Sequence, residues 1–245
     1  MELAATDGLN EEAPRANGQL VLLVVLSCLG MALFGYDTGV VSGSIIHVVE
    51  EFDLNPLQEE VVVSSTVLFA AVGAAAGGVL TTFYGRKYLI QFASLLYIAG
   101  ALAVAFSGNF VQIVAGRIIL GLAIGISSMT VPVYVAECAP PSIRGALVTI
   151  NDLMIVAGQV VAGVTNGVME ACDVHSGWRW TMGAAFAPAL VQGLGMLLLP
   201  ESPRSLLQHG HTHKAQEAMV RLRGPRSDWR AELALMEQDV HVEAW

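Results

Sequence analysis

Leu33-Phe34-Gly35-Tyr36-Asp37-Thr38-Gly39-Val40-Val41-Ser42-Gly43 is an apolar stretch with a carboxylate at its centre. The surrounding run is long enough to cross a bilayer, and a charge at bilayer depth costs about 2.5 kcal/mol or more. Asp37 is therefore either a functional group or a polar defect turned into a helix bundle. Gly35, Gly39 and Gly43 recur every four residues and leave one helix face bare of side chains. Such a face permits close helix packing or local unwinding.

Outward from this stretch the chain keeps the same character. It has 245 residues, 54% hydrophobic and 13% charged, with mean hydropathy +0.60. A soluble domain carries about 25% charged residues. The charges cluster in short breaks between apolar runs, the pattern of an all-α polytopic membrane protein. Six hydrophobic segments fall at roughly 20–46, 61–83, 88–108, 110–135, 143–169 and 179–199, each near the ~20 residues that span a bilayer. The organisation expected is a disordered tail over 1–18, a six-helix lobe over 19–199 and an amphipathic helical linker over 200–245. In the linker Leu206, Leu207, Ala215, Ala218, Met219 and Leu222 recur at helical spacings.

The net charge of −9 gives no footing for nucleic acid, because the acidic excess sits mainly in the tail and one loop. An acidic N-terminus before a long apolar run does not read as a cleavable signal. Three cysteines in separate segments offer no disulfide framework. No nucleophile–base pair or metal-ligand cluster emerges, so an enzyme is not expected. His209, His211 and His213 lie close together and read as a solvated loop before a metal site. Ten of the twelve basic residues fall on one side of the segments, with only Arg179 on the other and Arg117 in the membrane. The basic side is expected to be cytoplasmic and to hold both termini. Glu50, Glu51, Asp53, Glu59 and Glu60 then form an external loop, and the plasma membrane is the expected location. The glycine pairs Gly73/Gly77, Gly121/Gly125 and Gly163/Gly167 predict tight packing of segments two, four and five. Pro132 and Pro188 predict kinks in segments four and six.

Segment four carries a second intramembrane charge, Arg117. If the segments form two triplets, Asp37 and Arg117 occupy the first helix of each, the arrangement of a 3+3 inverted repeat. Buried opposite charges need each other, because removing one strands the other. Two readings stand: a static salt bridge, or a proton switch. The switch follows because loss of water favours the neutral acid while a nearby arginine favours the carboxylate. A change in their separation then changes proton occupancy. On segment five Asp152 and Gln159 are seven residues apart, about 20° on the helix circumference. They suit either a hydroxyl-rich ligand or interhelical hydrogen bonds. At the basic end, Arg86, Glu137, Arg144, Glu201 and Arg204 form a possible set of ion pairs that lock helix ends and break on rearrangement. A topogenic fringe would explain Arg86 and Lys87 but not the two glutamates.

Phe34-Gly35-Tyr36-Asp37-Thr38-Gly39, Gly116-Arg117, the run from Pro132 through Glu137 and Pro140 to Arg144-Gly145, Gly177-Trp178-Arg179-Trp180 and Pro200-Glu201-Ser202-Pro203-Arg204 occur in that order. Residues 19–224 thereby resemble the N-terminal half of a sugar porter of the major facilitator superfamily, most like a proton-coupled myo-inositol transporter and next a hexose symporter. The resemblance implies proton coupling through Asp37 and Arg117, and substrate contacts at Phe34, Gln159 and Asp152. It implies a polyol or sugar as substrate, the proton gradient and no cofactor as driving force, and the lipid bilayer as surroundings. It also implies a second six-helix lobe as partner, since this chain holds one. A non-transporting half acting as sensor or regulator is the alternative from another class. Three departures stand out: Thr82 and Phe83 replace the Asp and Arg of the family's Gly-x-x-x-Asp-Arg-x-Gly-Arg-Arg motif, Asp152 stands where many members have Gln, and Ser205 replaces Trp.

Overall fold

The computed structural model describes residues 18–172, 177–224 and 229–243. Apart from Gly18, the expected disordered tail lies outside them, as do Arg15 and Arg226. The described residues are all-α.

Among the described residues six spans are long and apolar enough to cross a membrane. They are α1 (Gly18–Phe52), α2 (Pro56–Tyr84), α3 (Arg86–Ala105), α4 (Phe110–Cys138), α5 (Arg144–Ala171) and a sixth made of α6 (Gly177–Gly183) and α7 (Phe186–Leu198). α1, α2 and α4 overrun the expected segments, whereas α3 stops short of residue 108. At 35 residues, α1 is about 52 Å long, against roughly 30 Å of hydrocarbon. Its last turn carries Glu50 and Glu51, and Glu59 and Glu60 lie in the first turns of α2. The expected acidic loop is thus reduced to residues 53–55. Asn55 makes it short: its side chain accepts the Gln58 amide at 2.9 Å, Gln58 Oε1 accepts the Asn55 amide at 3.0 Å, and Pro56 opens the helix. This capping box satisfies end amides that would otherwise be unpaired.

Pro132 lies within an unbroken α4. Pro188 does interrupt the sixth span, four residues upstream of itself. The Ala184 carbonyl instead accepts the Ala187 amide at 3.3 Å, and the helix restarts at Phe186. A proline ring obstructs the carbonyl at i−4, which accounts for the position of the break.

Exchanging the two triplets maps the packing onto itself. α1 lies along α5 as α4 lies along α2, and α3 packs on α4 as the sixth span packs on α1. Glycine makes both close pairs possible. A Cβ on Gly35 would strike the Ile155 carbonyl, and one on Gly158 the Ala32 carbonyl. On the other side, Gly121 and Gly125 abut the Thr66 and Ala70 carbonyls, and Gly73 abuts Leu122. The third predicted pair behaves differently: Gly163 and Gly167 have open space where a Cβ would be. They belong to a face of α5 that nothing in this lobe covers, with Leu153, Val156, Val160 and Val164 also exposed.

Beyond the spans, α8 (Pro203–Gln208), α9 (Thr212–Arg223) and α10 (Trp229–Glu243) make up the segment expected as a linker. Leu207, Ala215, Met219 and Leu233 make its core, while Leu222 joins the core of the spans. Arg223 ties the linker to the lobe by donating to the Cys138 carbonyl at 2.5 Å and to Glu232 at 3.0 and 2.8 Å.

Candidate functional site

The sequence places Asp37 and Arg117 on the first helix of each triplet, and the fold brings these helices together. Nη1 of Arg117 donates to both carboxylate oxygens of Asp37, at 2.9 and 3.0 Å. Both residues are buried, at 4% and 3% exposure, so neither charge has water as an alternative partner. The arrangement uses one guanidinium nitrogen for two bonds, and Arg117 Nε is buried without a partner. A two-nitrogen fork would hold the carboxylate more firmly. The surrounding turn is fixed by Tyr97, whose hydroxyl donates to the Leu33 carbonyl at 2.6 Å, and by Thr66, which donates to the Arg117 carbonyl at 3.3 Å.

One residue further along α1 the environment inverts. Thr38 is exposed, and its Oγ1 accepts from Gln159 Nε2 at 3.3 Å. Gln159 and Asp152 are both exposed on α5, while the polar Asn151 just before Asp152 is buried and accepts from the Cys28 thiol at 3.8 Å. Phe34, one turn from Thr38, is half-buried against the core. Sequence reasoning missed Thr38, although it stands in the quoted stretch beside Asp37. It also missed Asn166, seven residues beyond Gln159 and so near the same face as Asp152 and Gln159. Asn166 donates to the Val40 carbonyl at 3.0 Å and accepts from Ser44 at 3.3 Å; Ser44 also lies 3.0 Å from Thr181 Oγ1. These bonds join α1, α5 and α6 further along the lobe.

At the linker end, Arg86 and Glu137 pair at 2.9 Å. Glu201 works on backbone rather than on arginine. Its carboxylate accepts the amides of Arg86 at 2.9 Å and Lys87 at 3.1 Å, so it caps α3, whose own N-cap is Gly85. A carboxylate there also meets the positive end of the helix dipole. Ser202 donates to Glu137, and Tyr134 donates to the Pro200 carbonyl at 2.6 Å. Arg144 opens α5 away from this network: it forms no ion pair with either glutamate, and its Nε is buried without a partner. Arg204 is half-buried near the start of α8. His209 lies 2.8 Å from the Ser205 carbonyl and 3.0 Å from the Phe83 carbonyl. Among the described residues no three His, Cys, Asp or Glu side chains gather as a metal site.

Comparison with known proteins gives this geometry a family. The sequence profile of the family described as "Sugar (and other) transporter" matches residues 23–243. The chain is 48% identical over 203 residues to the human proton myo-inositol cotransporter, covering 83% of this chain and 31% of that protein. It is 40% identical over 198 residues to the glucose transporter GlcP of Staphylococcus epidermidis, covering 81% and 44%. Its fold superimposes on the major facilitator superfamily proton:xylose symporter XylE with TM-score 0.83 and 26% identity, covering 91% of this chain and 53% of that one. The chain thus spans between about a third and a half of each of these proteins. With a family match running through all six spans and the fold shared with a solved member, the chain belongs to the sugar (and other) transporters of the major facilitator superfamily.

Proposed function

We propose that this chain is the proton-coupling lobe of a symporter for a small polyhydroxylated ring, a monosaccharide or a cyclic polyol. The observation that carries the reading is the adjacency on α1 of a buried ion pair and an exposed polar face. Asp37 meets Arg117 at 2.9 Å, and the next residue, Thr38, meets Gln159 at 3.3 Å. Protonation of Asp37 removes the anion from the pair. A substrate hydroxyl that takes over the Gln159 amide releases Thr38. Both events act on one turn of α1, as coupling of proton to substrate requires.

Gln159 offers both a donor and an acceptor to hydroxyls, with Asp152 as a further acceptor and Phe34 as an apolar wall. The network of Arg86, Glu137 and Glu201 holds the helix ends that would bear on a second six-helix lobe. That lobe is the required partner, because alternating access is the rocking of one repeat against another around a fixed site. The basic end with the linker helices faces the cytoplasm in this reading.

Two substrate readings stand. Similarity to a myo-inositol cotransporter favours inositol, and likeness to a xylose symporter and a glucose transporter favours a sugar. Proteoliposomes of the whole transporter carrying this lobe, given an inward acid gradient, are expected to accumulate labelled inositol or glucose, and mutual competition ranks the two. Asp37→Asn is expected to abolish uphill accumulation. Proton-driven accumulation unchanged by that substitution refutes the coupling role.

A further inference from the structure

The last carbonyls of a helix have no amide partner within it, and at the end of α2 side chains take that place. The Thr81 carbonyl accepts Nη1 of Arg86 at 3.3 Å, and the same nitrogen donates to Gln208 Oε1 at 3.0 Å. His209, the next residue and the C-cap of α8, faces two carbonyls at once. Its Nε2 lies 3.0 Å from the oxygen of Phe83, in the last turn of α2, and its Nδ1 lies 2.8 Å from the oxygen of Ser205. Phe83 is one of the two positions that depart from the family motif. Its ring is 68% exposed, and it is the backbone of this residue that His209 engages.

Both partners are acceptors, so the geometry sets a charge requirement. A neutral imidazole has one N–H and a lone pair on its other nitrogen, whereas the imidazolium has two N–H groups. Only the charged ring donates to both carbonyls; the neutral ring turns a lone pair toward one of the oxygens. The end of α2 is also the negative pole of that helix, which favours a cation. His209 is exposed, so it exchanges protons with water. The groups around it carry both signs. Tyr84 comes from α2, Lys87 and Tyr88 from α3, and Glu201 from the turn before α8. His211, Lys214, Glu217 and Arg221 come from the α9 side. Lys87 is engaged with the Leu197 and Leu199 carbonyls, Glu201 with the Arg86 and Lys87 amides, and Glu217 lies 3.4 Å from His213. At hydrogen-bond distance the ring meets the two carbonyls.

We propose that His209 is a proton-operated staple: as imidazolium it joins the C-terminal ends of α2 and α8, and as neutral imidazole it releases the end of α8. Imidazole is the side chain whose ordinary charge change falls between about pH 5 and 8. The stapled state holds the extra proton, so the staple is complete at the acid end of that range and is lost as pH rises through it. What it holds is weak by itself. α8 has six residues, too few for a stable isolated helix, and Gly210 behind it turns the chain at φ +73°. In the function proposed above this end faces the cytoplasm. The staple then senses acidity on the side to which a symporter releases its protons, and it tightens the linker on α2 as they accumulate. The side sensed rests on the transport reading, and the staple itself does not.

The test is hydrogen exchange of the backbone amides of residues 206–211, which bond within α8 and the turn after it. It is read by mass spectrometry on the full chain in detergent at about pH 5 and about pH 8, each rate divided by the free-peptide rate at the same pH. Protection is expected to be at least about tenfold greater at the acid pH, the worth of one hydrogen bond to a charged group. His209→Gln is expected to abolish that difference, since an amide side chain does not titrate, and His211→Gln to keep it. Amides in the middle of α3 should show no such difference in any of the three proteins, which separates the staple from a general effect of acid. Equal protection at both pH values overturns the proposal. So does a difference that survives His209→Gln, or one that His211→Gln abolishes. The readout needs no transport, so failure of the symporter reading leaves it standing.

Discussion

Asp37→Asn is nearly isosteric, so its effect isolates the charge. In the parent, Arg117 is 3% exposed and paired with Asp37 at 2.9 Å. With an amide in place of the carboxylate, the guanidinium stays buried while its counter-ion is gone, and its Nε already lacks a partner. Breaking a buried pair by removing one member costs about 3–5 kcal/mol. For a chain of 150–250 residues, 1 kcal/mol corresponds to about 2–4 °C of Tm, so the single variant is expected to melt roughly 6–20 °C lower. Adding Arg117→Gln removes the stranded charge and lets two amides bond to each other. The double variant should recover most of the loss, because replacing both members of a buried pair is often close to neutral. The assay is thermal unfolding of the four proteins of the cycle in one detergent. A stranded charge gives an interaction energy well above the ~0.5 kcal/mol within which independent sites add. Additive losses in the double variant would refute the reasoning.

Two further outcomes follow from the packing and the open face. Gly158→Leu must displace the Ala32 backbone and is expected to cost at least about 1–3 kcal/mol, whereas Gly163→Ala, in open space, is expected to leave the stability of this chain unchanged or raised by up to about 1 kcal/mol of helix propensity; thermal unfolding of both checks this. Gln159→Ala removes an exposed side chain, so Tm should stay while the substrate KM of the whole transporter rises up to about tenfold, the worth of one hydrogen bond, read in initial-rate uptake.

The spans and some of their close-packing faces were legible because bilayer physics leaves few options: apolar length marks a span, and glycine at four-residue spacing marks a close face. Gly35, Gly121 and Gly125 act in this way, but the same signal at Gly163 and Gly167 marks a face left open. Spacing identifies a smooth surface without identifying what lies on it. The ion pair was legible because two isolated charges in apolar runs leave each other as the natural partner. The linker-end network was legible only in part: Arg86 pairs with Glu137, while Arg144 stands apart from both glutamates. Five charged residues suggested arginine–carboxylate pairs, yet Glu201 bonds mainly to backbone amides, because the start of α3 has glycine as its N-cap and must borrow an acceptor from elsewhere. Such borrowing depends on tertiary placement, which local spacing does not encode. The extension of α1 and α2 past the membrane was readable in Asn55-Pro56 and Gln58, a capping signal that hydropathy alone passes over.

The distribution of close contacts bears on how the pair could act. α1 lies on α5 through glycine against backbone carbonyl, and α2 on α4 likewise. Interfaces of that kind cannot slide by fractions of an ångström without collision, so each pair tends to move as a unit. Between the units the main polar link described inside the membrane is the single guanidinium nitrogen of Arg117 on Asp37. On the proposed reading, a proton on Asp37 weakens the link between two units that are each internally stiff. Thr38 carries that motion to Gln159, which belongs to the same unit as Asp37. The proton would then shift α1 and α5 together relative to α4, moving the substrate face as one body. Disulfide trapping of cysteines placed across α1 and α4 should accordingly depend on the charge at position 37, whereas pairs placed across α1 and α5 should not.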